Sequence, residues 1–102
     1  MPDELRVDVE TAPTGTVTVR VAGGVDLGNV DRFRDRLEDA ADRSDTVVVD
    51  LDRVVYLDSA GIAVLFAAAG RTSLEVVASE DCLVRRVLEV VALDRVATLR
   101  AS

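Results

Sequence analysis

The chain has no histidine, no tryptophan and no lysine; all 12 of its basic residues are arginine. Without histidine, neither Ser-His-Asp nor Cys-His catalysis can be assembled from this chain alone, and histidine-ligated metals and histidine phosphotransfer are excluded too. Without lysine, Schiff-base chemistry and a P-loop phosphate contact are also excluded. The expectation is a protein that is not an enzyme and holds neither cofactor nor metal. Cysteine occurs once, at Cys82, so there is no internal disulfide, and a reducing compartment is allowed.

Aromatic residues make up 3% of the chain against 49% apolar residues overall, so the core is expected to consist of Val, Leu, Ile and Ala. The longest apolar-plus-glycine run, residues 60–70, is about half of what a membrane helix needs. The first ten residues, MPDELRVDVE, lack the basic and apolar regions of a secretory signal. These features predict a soluble, cytoplasmic protein. With 19 acidic residues against 12 basic ones and a net charge of -7, the field repels phosphate backbones and anionic lipid heads. Neither nucleic acid nor a membrane surface is an expected partner.

What is present is one domain, 1–102, with no linker, repeat or low-complexity tract. Residues 6–10 and 16–22 alternate apolar and polar around the turn sequence TAPTG, which reads as a β-hairpin closed by Gly23 and Gly24. Asp26 to Asn29 reads as a helix entry, with Asn29 able to cap. Val30, Phe33, Leu37 and Ala40 or Ala41 then recur at helical spacing. TVVVDL at 46–51 is too apolar for a strand with one wet face, so a central strand covered on both sides is predicted, followed by a short run at 54–57. A helix is expected from near Ser59 to Ala69 with Gly70 as its stop, a strand at 74–78, a helix over 81–91 and a last strand at 95–99. The order ββαβαβαβ predicts an α/β fold with a mixed, mostly parallel sheet. In such sheets sites gather where strands end and helices begin, here at residues 24–29 and 57–61.

The second of these places, LDSAG, admits two readings. In one, Asp58 or Ser59 merely caps the helix, with Leu57 and Ile62 spaced as a hydrophobic staple. In the other, Asp58 caps and the Ser59 hydroxyl points outward at the first helical position, while Ala60 and Gly61 keep the surface clear for a macromolecular partner. The helix behind, IAVLFAAA, is apolar on every side, so an exposed apolar strip beside a polar tip is expected. Cys82 is read as a helix-start or core residue, Tyr56 as filling at a strand end with its hydroxyl at the edge, and Arg85-Arg86 as a solvated helix face.

LDSAGIAVL resembles the signature of STAS domains, in particular of bacterial anti-sigma factor antagonists: Asp-Ser, then Ser, Thr or Ala, then Gly and an apolar helix. VRVAGGVDLGNVDRFRDRLEDA is similar to the family's second strand, Gly-x-x-Asp turn and first helix. VVVDLDRVVYLDSAG and LVRRVLEVVALDRV resemble its central strand and its third helix with the final turn. The resemblance implies a single STAS-like domain. It implies a protein that binds an anti-sigma factor serine kinase when unphosphorylated, is released when that kinase phosphorylates Ser59, and is reset by a metal-dependent serine phosphatase. Asp26, Asn29, Asp58, Ala60, Gly61 and Ile62 would then form the partner surface. The chain departs from the family pattern at Gly24, where Glu is common, and at Ala92, where Gly is common. It also departs in a shorter second helix and in the absence of a fourth helix after the last strand. The alternative is a constitutive STAS subunit that docks on a lipid-transport ABC ATPase.

Overall fold

The computed structural model describes residues 4–101. The elements run β1 (Arg6–Thr11), β2 (Val17–Val25), α1 (Val30–Arg43), β3 (Thr46–Leu57), α2 (Ser59–Ala69), β4 (Ser73–Val77), α3 (Leu83–Val90), a 3-10 turn (Leu93–Arg95) and β5 (Thr98–Arg100). The order ββαβαβαβ is therefore present, in one five-stranded sheet whose spatial order is the sequence order. β1 pairs antiparallel with β2, and β2 to β5 pair in parallel. Right-handed crossovers that always step the same way along a sheet place every helix on one face. One core cluster accordingly joins Val17, Val19, Val47, Val49 and Val76 to Phe33 and Leu37 of α1, Leu65 of α2 and Leu88 of α3.

This corrects the expectation that the central strand is covered on both sides. Val47, Val49 and Leu51 are fully buried, whereas Val48 and Asp50, on the opposite face, are only half-buried. That opposite face is polar: the Arg20 guanidinium approaches Glu10 at 3.4 Å and that of Arg100 approaches Glu75 at 2.8 Å. The apolar composition of 46–51 thus reflects β-branched residues on both faces of a strand with only one dry side.

Three further boundaries differ from the expectation. β2 does not end at Gly23 and Gly24 but continues through them to Val25, because β3 pairs with each: Gly23 with Val54, Gly24 with Tyr56 and Val25 with Leu57. β3 is one strand of 12 residues instead of two runs. It carries two irregularities against β2, one between the pairs Arg20–Asp50 and Ala22–Arg53, the other between Gly23–Val54 and Gly24–Tyr56. Each adds one residue to β3, so its inward positions run 47, 49, 51, 54 and 57. The final strand starts later than expected, at Thr98, since Leu93–Arg95 wind into a 3-10 turn that buries Leu93.

Candidate functional site

At the C-terminal ends of β2 and β3 two loops meet. The amide of Asp58 donates to the carbonyl of Val25 at 3.2 Å, which holds the start of α2 beside the turn that begins at Asp26. Asp58 is the N-cap of α2, with extended backbone. Its Oδ1 accepts from the amides of Ala60 at 3.0 Å and Gly61 at 3.3 Å, which satisfies two of the donors a helix start leaves unpaired. The predicted cap is therefore in place.

Ser59 is the first residue of α2 and is exposed. Its hydroxyl has no hydrogen-bond partner among the described residues, so the cap does not consume it. Behind it, α2 buries Gly61, Val64, Leu65 and Ala68 and leaves Ala63, Phe66 and Ala67 exposed on the other side. The expected apolar strip is thus present. It borders a groove of about 270 Å³ between α1 and α2, floored by Leu37 and Val64 and rimmed by Glu38 and Arg71. Arg71 also pairs with Asp42 across the same gap, which ties α2 to α1.

The Asp26 turn is closed by reciprocal bonds. Asp26 Oδ1 accepts from the amides of Gly28 at 2.8 Å and Asn29 at 3.1 Å, while Asn29 Oδ1 accepts from the Asp26 amide at 2.9 Å. Asn29 occupies the N-cap position of α1 without capping it by its side chain. The side chain turns back instead, and its Nδ2 donates to the Gly24 carbonyl at 2.9 Å. The turn itself competes for this amide, and the first helical amide, that of Val30, is served by the Asp26 carbonyl at 2.8 Å. Leu27 projects from the turn with 79% of its surface exposed.

Tyr56 joins this turn from β3. Its hydroxyl donates to Asp26 Oδ2 at 2.7 Å, so it is a member of the site and not filling at a strand end. That bond holds the Asp26 carboxyl below its ordinary value of 3.8; desolvation opposes the shift, and the Gly28 and Asn29 amides add to it. The same bond, desolvation and the charges of Asp26 and Asp58 hold the phenol above its ordinary value of 10.0. The ring lies across Gly24, where a Cβ would fall well inside contact with Tyr56 Cε1.

Of the residues singled out from sequence, Asp26, Asn29, Asp58 and Ser59 come together at this end of the sheet. Ala60 and Ile62 are half-buried and pack against the core. Gly61 is buried, and a Cβ there would overlap Leu57 Cδ1 and press on Val25 Cγ1 at 3.0 Å. Its smallness therefore serves the interior packing beneath the site, contrary to the expectation that it clears the outer surface. Arg85 is not on a solvated face: its side chain is 13% exposed and donates to the Ala78 carbonyl at 2.9 Å. Cys82 does start a helix, since its Sγ accepts from the Arg85 amide. What the sequence reading missed is that Tyr56 belongs to the site and lies against Gly24. Their pairing could be found only from the β2–β3 register, which the two irregularities in β3 obscure.

A mixed, mostly parallel sheet wound in one direction, with helices on one face and polar loops at the C-terminal ends of β2 and β3, defines a small α/β module of the STAS type. The family model described as "Mlab, STAS domain" matches residues 9–100, and the chain belongs to the STAS domain family. Among solved structures, it is similar to an anti-sigma factor antagonist from Mycobacterium paratuberculosis, with 28% identity, a TM-score of 0.86 and coverage of 98% of this chain and 88% of that one. A putative anti-sigma factor antagonist from Thermotoga maritima shares the fold at 17% identity, with a TM-score of 0.78 and coverage of 94% and 86%. So does the Bacillus cell fate determinant SpoIIAA in its phosphorylated form, at 17% identity, with a TM-score of 0.72 and coverage of 95% and 91%. No curated protein matches the sequence. Among the described residues no helix is long and apolar enough to cross a membrane.

Proposed function

We propose that this protein is an anti-sigma factor antagonist of the cytoplasm. Unphosphorylated, it binds an anti-sigma factor that is itself a serine kinase, and phosphorylation of Ser59 releases it. A metal-dependent serine phosphatase restores the binding form, so the protein regulates sigma-factor-dependent transcription by switching partners. The observation that carries this reading is the exposed Ser59 hydroxyl, left free by the Asp58 cap. A phosphate there adds about -1.5 to -2 charges next to Asp58 and beside the Asp26 turn, which disrupts a tight interface by repulsion and desolvation. The amino end of α2 tolerates the added charge, a favourable term of about 0.3 to 1 kcal/mol at an exposed site, so the domain stays folded while the partner leaves. The likeness to the Mycobacterium antagonist over nearly the whole chain supports the same reading.

The test is incubation with the cognate anti-sigma kinase and ATP, read by intact mass. The expected result is one added phosphate on the native protein and none on Ser59→Ala; an unchanged native mass would sink the proposal. The second reading is a constitutive STAS subunit docking on a lipid-transport ABC ATPase, with Asp58 and Ser59 only starting the helix; membership of the STAS family is compatible with it. Under that reading Ser59→Glu and Ser59→Ala dock equally well.

A further inference from the structure

We propose that Tyr56 is a positioning residue for the Asp26 turn and that the missing side chain at Gly24 is what lets it act; the inference rests on reading that turn as part of the partner surface. The Asp26 carboxylate has two oxygens, and the turn amides use only Oδ1. Oδ2 is fixed from outside, by a hydroxyl 30 residues away on the neighbouring strand. Burial does not account for a tyrosine at this place, because the residue remains 41% exposed. The path of the ring does: Gly24 and Tyr56 are register partners on the polar face of the sheet, and the ring occupies the volume that a Cβ on Gly24 would claim. The carbonyl of the same glycine takes the Asn29 side chain. Gly24 is thereby linked to the turn twice, once through Asn29 and once through Tyr56. Loss of the Tyr56 link leaves Asp26 held by its own loop alone.

Tyr56 is the only tyrosine and the chain has no tryptophan, so phenolate absorbance in the near ultraviolet reports on this group alone. In the native protein the phenol is expected to titrate above 10.0. Gly24→Ala, which displaces the ring, and Asp26→Asn, which removes the charged acceptor, should each bring the midpoint back toward that value. Tyr56→Phe should speed amide hydrogen exchange at Gly28 and Asn29 several-fold and leave Val49, in the core, unchanged. The double variant Gly24→Ala, Tyr56→Phe should exchange at the rate of Tyr56→Phe, since both changes cut one link. A Gly24→Ala protein whose phenol titrates as in the native chain overturns the inference. So does Tyr56→Phe with native exchange at Gly28 and Asn29, or a double variant in which the two effects multiply. None of these readouts needs a partner, so a failed kinase assay removes the proposed function without touching this result.

Discussion

The Asp58 amide and the Val25 carbonyl, 3.2 Å apart, join the two polar loops of this domain by a single backbone bond. The bond extends the β2–β3 ladder one step past Leu57, so the residue that caps α2 is also the last rung of the sheet. Ser59 follows at once. Its placement is therefore set by main chain on one side and by the carboxylate of Asp58 on the other, and neither uses its own hydroxyl. A group so held can be modified without loss of the contacts that position it.

Ser59→Glu and Ser59→Ala separate charge from structure. Both variants should unfold within about 0.5 kcal/mol of the native protein, as is usual for exposed positions away from packing. Ser59→Glu should bind the anti-sigma factor more weakly, while Ser59→Ala should bind it and resist release by ATP. Calorimetric titration with the cognate anti-sigma factor checks this, and equal affinities would count against the switch.

Gly61→Ala should destabilise the domain. The added methyl gains about 1 kcal/mol of helix propensity but meets Leu57 and Val25 in a packed interior, and overpacking costs about 1 to 3 kcal/mol. A net loss of about 1 kcal/mol lowers the melting temperature by roughly 4 to 8 °C in a domain of this size. A rise in melting temperature would show that Leu57 yields freely.

Ala92→Gly should do the opposite. Ala92 follows the end of α3 in the left-handed region, at φ 61, where its amide bonds back to the Glu89 carbonyl. A side chain in that conformation costs about 1 kcal/mol or more that glycine avoids. Chemical denaturation should show a gain near that size with an unchanged denaturant slope.

The Asp26–Tyr56 bond makes opposite demands at the two ends of the pH scale. Asp26 is more acidic when folded, so its contribution is complete above 3.8 and is lost as pH falls through the depressed folded value. Tyr56 is less acidic when folded, so its contribution is complete below 10.0 and is lost as pH rises through the raised folded value. Melting curves of the native protein and Tyr56→Phe should therefore differ by a constant amount between these limits and converge outside them. A gap that varies through neutral pH would point to another titrating group.

Most of the fold was legible because it rests on local pattern. The heptad-like spacing of Val30, Phe33, Leu37 and Ala40 marked α1, and Asp58 before an apolar run marked the start of α2. What sequence could not show depended on register. Gly23 and Gly24 look like a strand end until β3 is laid beside them. Val48 looks like core until one sees that every crossover steps the same way. The Tyr56–Asp26 bond spans 30 residues and two strand irregularities, so no local window contains it. The side chain of Asn29 shows the same limit: its type suited a cap, but its neighbour Asp26 offered it a turn.

The two extra residues in β3 make the path to Ser59 a matter of odd and even. Strict alternation from Val47 would drive Arg53 and Val55 inward; the first insertion puts Val54 there instead, and the second returns the count so that Leu57 still faces the helices. Loss of one inserted residue between Leu51 and Tyr56 would remove one irregularity and leave Leu57 opposite Val25, so the Asp58-Ser59 pair would stay on the same side of the sheet. Loss of two would shorten the strand yet keep its sense.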